Sequence, residues 1–150
     1  MEIQQWMKNP VHCVKPLDSI QHARDIMETN RVNQLPVIVG GHLVGIITDR
    51  DLRAAFPSVF DSPLLTSRKP RAAATDPKVV TVEMVMTPNV LTLGPHDSVS
   101  DAARIMRRER VGAVPIVENN RLVGILARSD VLDAFVALAT LVAPERHGKK

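Results

Sequence analysis

The stretch GIITDRD, Gly45 to Asp51, carries a hydroxyl and a carboxylate three residues apart at the end of an apolar run. A threonine there can accept a hydrogen bond from a free backbone N–H of a first helical turn, and an acid three residues on can reach back to it. The acid also complements the helix dipole. The same pair could serve a ligand. Free N–H groups at a helix start suit a phosphate, Thr48 adds a donor, and the Asp51 carboxylate can accept two hydrogen bonds from a vicinal diol such as a ribose. Gly45, without a side chain, would let a flat base approach the strand. A second phrase, GILARSD (Gly124 to Asp130), repeats glycine and aspartate at the same spacing but has Ala127 in place of the threonine. A helix cap explains these residues one at a time. A binding role also explains why aspartate follows glycine at a fixed spacing twice.

The elements that must position these residues come from a duplication. Shifted by 79 residues, Trp6–Phe56 matches Val85–Phe135 without a gap, with 18 identities in 51 positions. Such self-similarity sets the architecture before any motif does. Each copy opens with Asp-Ser as a helix cap, at Asp18-Ser19 and Asp97-Ser98. Ile20, Ala23, Ile26 and Met27 then share one helical face, as do Val99, Ala102, Ala103, Ile105 and Met106. Two β-rich runs follow, joined by Gly40-Gly41 in one copy and Asn119-Asn120 in the other. Both pairs tolerate the positive φ of a two-residue hairpin turn. A second helix closes each copy, DLRAAF and SDVLDAFVALATLVA.

The expected fold is α+β: two tandem β-α-β-β-α units packed with pseudo-twofold symmetry through their small sheets. A unit of about 50 residues buries too little surface to be comfortable alone. The expected division is 1–62 for the first unit, 63–77 for a linker rich in Pro, Ser and charge, 78–143 for the second unit and 144–150 for a basic tail. VEMVMTP leads into the second unit as a short turn or helix, mirrored by IQQWMKNP ahead of the first.

Composition removes several function classes. The 150 residues are 45% hydrophobic and 3% aromatic, with no tyrosine. The net charge of +3 owes much to SRKPR (Ser67 to Arg71) and the tail ERHGKK. Neither is interleaved with aromatics, so nucleic-acid binding is disfavoured. No apolar run approaches the 18 or so residues of a membrane span, and the start does not resemble a signal peptide. Cys13 is the single cysteine, so no internal disulfide forms, and a cytoplasmic location is expected. Cys13 has no base partner, the five histidines lack metal-ligand spacing, and neither a catalytic triad nor a phosphate-binding loop is present. No catalytic residue, metal or catalytic cofactor is expected.

The duplicated hPVh…hhGhhTxxD phrase, each copy preceded by a Met, Pro, Val, Pro, Asp-Ser, Ala, Ile-Met series, resembles the cystathionine β-synthase (CBS) domain family from about Ile3 to Ala143. Two such domains in tandem form a Bateman module. The resemblance implies two clefts between the units. These commonly take adenosine-containing ligands: AMP, ADP, ATP, S-adenosylmethionine, or at times NAD or cyclic dinucleotides. It also implies a homodimer formed through helices, and regulation of a partner protein without chemistry.

Carried onto this chain, the resemblance gives Asp51 the ribose hydroxyls, Thr48 the phosphate and Arg50 a supporting cation. The adenine would lie among Cys13, Val14, Leu35, Pro36 and Ile46-Ile47, its edge read by backbone near Cys13 and Gln34. In the second cleft Asp130 keeps the ribose role, with Ser129 or Arg128 replacing the missing threonine at the phosphate. Thr92, Leu93, Val114, Pro115, Ile125 and Leu126 would form the adenine pocket. His12, His96, Arg31 and Arg110 are either exposed or directed toward phosphate. The first cleft, with its threonine, is expected to be the better nucleotide site. The reading is a non-catalytic regulatory pair with an adenosine nucleotide as regulatory ligand, a homodimer serving an unidentified regulated protein. The alternative is a structural dimerisation or partner-binding module with vestigial clefts.

Overall fold

The computed structural model describes residues 1–56 and 76–143. Nearly all of the expected linker, including SRKPR, lies outside the described residues, as do the end of the expected first unit and the tail with His147. The fold is mixed α and β with small antiparallel sheets, in the order α1 (Ile20–Asn30), β1 (Gln34–Val39), β2 (His42–Thr48), α2 (Asp49–Ala55), α3 (Val82–Val85), β3 (Thr87–Pro88), α4 (Val99–Glu109), β4 (Ala113–Glu118), β5 (Arg121–Ala127) and α5 (Arg128–Val142). The duplicated order is therefore present, and no helix among the described residues is long and apolar enough to cross a membrane.

The first helix of each repeat starts on serine. Ser19 Oγ accepts from His22 N, and Ser98 Oγ from Asp101 N, both at 3.1 Å. Each helix buries the face expected of it: Ile20, Ala23 and Met27 on α1; Val99, Ala102 and Met106 on α4. Each ends on an arginine in the left-handed conformation, Arg31 at φ 54° and Arg110 at φ 57°. Their backbone N–H groups close on Met27 O and Met106 O. Both arginines are exposed helix ends.

β1 and β2 form an antiparallel hairpin that brings Gln34 opposite Thr48 and Pro36 opposite Ile46. Its turn uses positive φ at Gly40 and Gly41, and Asn119 and Asn120 do the same between β4 and β5, as a two-residue hairpin requires. The expected opening strand of each unit is reduced to a single parallel bridge, Val14 with Val37 and Leu93 with Ile116.

The division into bodies departs from the expected one. Met1–Asn9 packs with Thr92–Glu118 and the chain from Val123 onward, while Pro10–Leu91 gathers with the turn Asn119–Leu122. Each lead-in thus belongs to the repeat it does not precede. Ile3 is fully buried beside Val99, Val114, Ile116 and Leu126, whereas Val82 is fully buried beside Val14, Leu35, Val37 and Ile47. The physical reason lies at the strand edges. Lys8 exchanges backbone bonds with Ile125 at 2.9 and 3.2 Å, and β3 adds to β2 through Gly45–Pro88 and Ile46–Thr87. A boundary drawn by sequence order at residue 1 misses this exchange.

Candidate functional site

In the first repeat β2 ends at Thr48 in extended conformation and α2 begins at Asp49. Asp51 N donates to Thr48 Oγ1 at 3.1 Å, and Thr48 N donates to Asp51 Oδ2 at 2.9 Å. This reciprocal box is the expected cap. Among the described residues, no acceptor takes the threonine's own proton. Asp51 Oδ1 has no partner among the described residues. Both side chains are half-buried, and Asp49, one residue into the helix, pairs with Arg53 at 2.5 Å.

In the second repeat the box is halved. Ala127 N donates to Asp130 Oδ2 at 2.7 Å, but a methyl group returns nothing. Asp130 alone completes the cap, and Ser129, expected to help, is exposed with no bond among the described residues. Asp130 is 5% exposed. Its second oxygen, Oδ1, faces Lys8 Nζ at 3.4 Å. The duplicated position equivalent to Lys8 is Thr87, and the strand pairing agrees: Lys8 bridges Ile125 as Thr87 pairs with Ile46. Among the described residues, one carboxylate therefore has an unpartnered oxygen and its twin has a cation.

Other expected site residues fall into two groups. Cys13, Gln34, Ile46, Leu93 and Ile125 are half-buried, and Arg50, Thr92 and Arg128 are exposed. Val14, Leu35, Pro36, Val114 and Pro115, expected around the base, form the second group. They are buried to 2% exposure or less, because β1 and β4 are covered on both faces, as a continuous apolar run allows. Cys13 Sγ donates to Val11 O at 3.4 Å, and burial pushes its thiol above the usual range. Arg128 Nη2 makes a long 3.4 Å contact to Val111 O. His96 turns to Glu2, 3.4 Å away. The Glu2 carboxyl is held below its usual range, first by a hydrogen bond from Gln4 and then by His96. His12 is exposed.

The glycines correct another expectation. A Cβ on Gly45 would lie 2.6 Å from Met86 Sδ and 2.9 Å from Thr87 O; one on Gly124 would lie 2.5 Å from Met7 Sδ. The bare backbone makes room for the chain's own lead-in, so the space above it is already filled. Lys8 and Asp49 are the charged neighbours that motif reading passed over. Lys8 follows Met7, which matches Met86, but nothing local indicates that it would meet Asp130. A separate cavity of about 230 Å³ opens on the α1–α2 side, lined by Ile20, Met27, Leu52 and Phe56 among others. It contains none of the expected site residues.

The model of the CBS domain family matches residues 2–58 and 82–137. A CBS domain-containing protein of Dictyostelium discoideum is 31% identical over 145 residues, spanning 95% of this chain and 97% of its own length. Among solved structures, the CBS domain pair of protein MJ0100 in complex with 5′-methylthioadenosine and S-adenosyl-L-methionine aligns at TM-score 0.75 and 26% identity, over 92% of this chain and 98% of the other. CBSX2 in complex with AMP aligns at TM-score 0.72 and 30% identity, over 91% and 97%.

Proposed function

The chain belongs to the CBS domain family, and from that premise we propose that it is a non-catalytic regulatory protein that takes up an adenosine-containing ligand beside Asp51, Asp130 or both. The carrying observation is the shared placement of the two carboxylates. In each, a strand-end N–H holds Oδ2, at Thr48 or Ala127, which turns Oδ1 toward other donors. A ribose diol is such a donor pair. Gln34, Cys13, Ile46 and Arg50 are the accessible residues proposed around Asp51; Thr92, Leu93, Ile125, Arg128 and Ser129 are those around Asp130. The adenosine-containing ligands of MJ0100 and CBSX2 support this ligand class. The proposed target of regulation is an unidentified protein, and the proposed setting is the cytoplasm.

A thermal-shift series with AMP, ADP, ATP, S-adenosylmethionine and NAD tests the reading. A ligand at 100 times its Kd stabilises by about 2.7 kcal/mol, a readily measured rise. No rise with any adenosine compound would remove the proposal's main support.

A second reading, a dimerisation module with empty clefts, draws on α5. Leu132, Phe135 and Val136 there are each about 60% exposed, a surface suited to a second copy. Sedimentation with and without ligand separates the readings: a dimer indifferent to every adenosine compound favours the second.

A further inference from the structure

We infer that Lys8 is a specificity-determining residue: it makes the Asp130 site select phosphate-bearing nucleotides over neutral nucleosides, while the Asp51 site lacks that selection. This rests on the proposed adenosine-binding role and names the ligand class at each of its two sites.

Asp130 is 5% exposed, and each of its oxygens is engaged. Ala127 N holds Oδ2 at 2.7 Å and Lys8 Nζ stands 3.4 Å from Oδ1. The stem of Lys8 is anchored, because its backbone bonds to Ile125 in both directions. Its ammonium end is free to move, the side chain being 61% exposed. A diol that approaches Oδ1 must displace the ammonium from a buried carboxylate. A neutral nucleoside offers the ammonium nothing in return. A nucleotide brings a phosphate within reach of the same flexible side chain, so the cation passes from one anion to another. The ammonium brings a full positive charge to the phosphate, where a threonine hydroxyl brings only a dipole.

The Asp51 site differs in each respect. Thr87 occupies the position of Lys8, and Asp51 Oδ1 has no partner among the described residues. The charges of Asp49, Arg50, Asp51 and Arg53 cancel, with Asp49 and Arg53 paired. Around Asp130, Lys8 and Arg128 stand against Asp130 itself and Asp133, so the charges balance there too and the distinguishing group is the Lys8 ammonium. Leu132 stands where the first repeat has Arg53. Thr48 gives the first site a phosphate donor, and the mobile Lys8 ammonium gives one to the second.

Methyl NMR on isoleucine-labelled full-length protein reads the two sites separately, with Ile46 beside one and Ile125 beside the other. Titration with adenosine and with AMP is expected to show roughly tenfold tighter AMP binding at Ile125 and little preference at Ile46. Lys8→Met is expected to remove most of the AMP preference at Ile125 and leave Ile46 unchanged. Thr87→Lys is expected to install the preference at Ile46. Equal weakening of AMP and adenosine by Lys8→Met would overturn the inference, as would an absence of AMP preference at Ile125 in the unmodified protein. If neither compound moves either methyl, the adenosine-binding reading itself fails and the role of Lys8 falls with it.

Discussion

Ile3 and Val82 are equivalent residues of the two repeats, both fully buried, and each fills the core of the opposite repeat. The two lead-ins are thus structural parts of bodies assembled from distant chain segments. Ile3→Ala is expected to cost about 2–5 kcal/mol, the range for truncating a fully buried aliphatic side chain. The loss should appear in the second-repeat body, where Trp6 packs against the same core. As the single tryptophan, Trp6 gives a fluorescence reading of that unfolding. Denaturation of Ile3→Ala that left the Trp6 transition in place would argue against the exchange.

The contacts of Met86 and Met7 with the strand glycines give a graded prediction. Gly45→Ala must move both a flexible thioether and the Thr87 carbonyl, 2.9 Å from the new Cβ. Gly124→Ala meets chiefly the Met7 side chain, with the Lys8 carbonyl farther off at 3.2 Å. The first change is expected to cost about 1–3 kcal/mol, in the range of overpacking, and the second less. Met7→Ala should offset Gly124→Ala more fully than Met86→Ala offsets Gly45→Ala. Chemical denaturation of the four single and two double variants checks the order.

The unequal caps predict opposite responses to a hydroxyl. Thr48→Ala is expected to lose about 1 kcal/mol. Ala127→Thr is expected to gain a similar amount, since Ala127 already has the extended backbone of a cap residue, φ −94° and ψ 165°. At Asp130 the capping and binding roles can be separated. Asp130→Asn keeps an acceptor for Ala127 N and should retain most of the stability, while Asp130→Ala should not. Both should weaken nucleotide binding at that site by about tenfold or more. Calorimetric titration set beside melting curves would show whether the two losses part as expected.

Cys13 supplies a pH dependence. Burial raises its thiol above the usual range, so the native state holds this proton more tightly than the unfolded chain does. Its contribution to stability is whole below the ordinary thiol value, about pH 8.5, and declines as pH rises through the raised native value. Alkylation by iodoacetamide should accordingly be slower than for a free thiol and keep accelerating above that pH. A rate equal to that of a model thiol would contradict the burial effect.

Much of this protein is decided by local chemistry. The 79-residue repeat, the Ser19 and Ser98 caps, the helical faces of α1 and α4 and the glycine and asparagine turns all follow from side-chain type and spacing, because helices, caps and hairpins are closed by near neighbours. The Thr48–Asp51 box follows in the same way. Other features depend on residues far apart in the chain. No local pattern shows that Met1–Asn9 crosses to the second repeat, that Gly45 and Gly124 accommodate methionines, or that Val14, Leu35 and Val114 are sealed in cores. In sequence the two aspartates already differ in the residue three before each and in their flanking charges, Asp49, Arg50 and Arg53 against Arg128, Ser129 and Leu132. Only the tertiary structure adds the rest, because a lysine 122 residues away along the chain reaches Asp130, while the equivalent strand position in the other repeat holds Thr87.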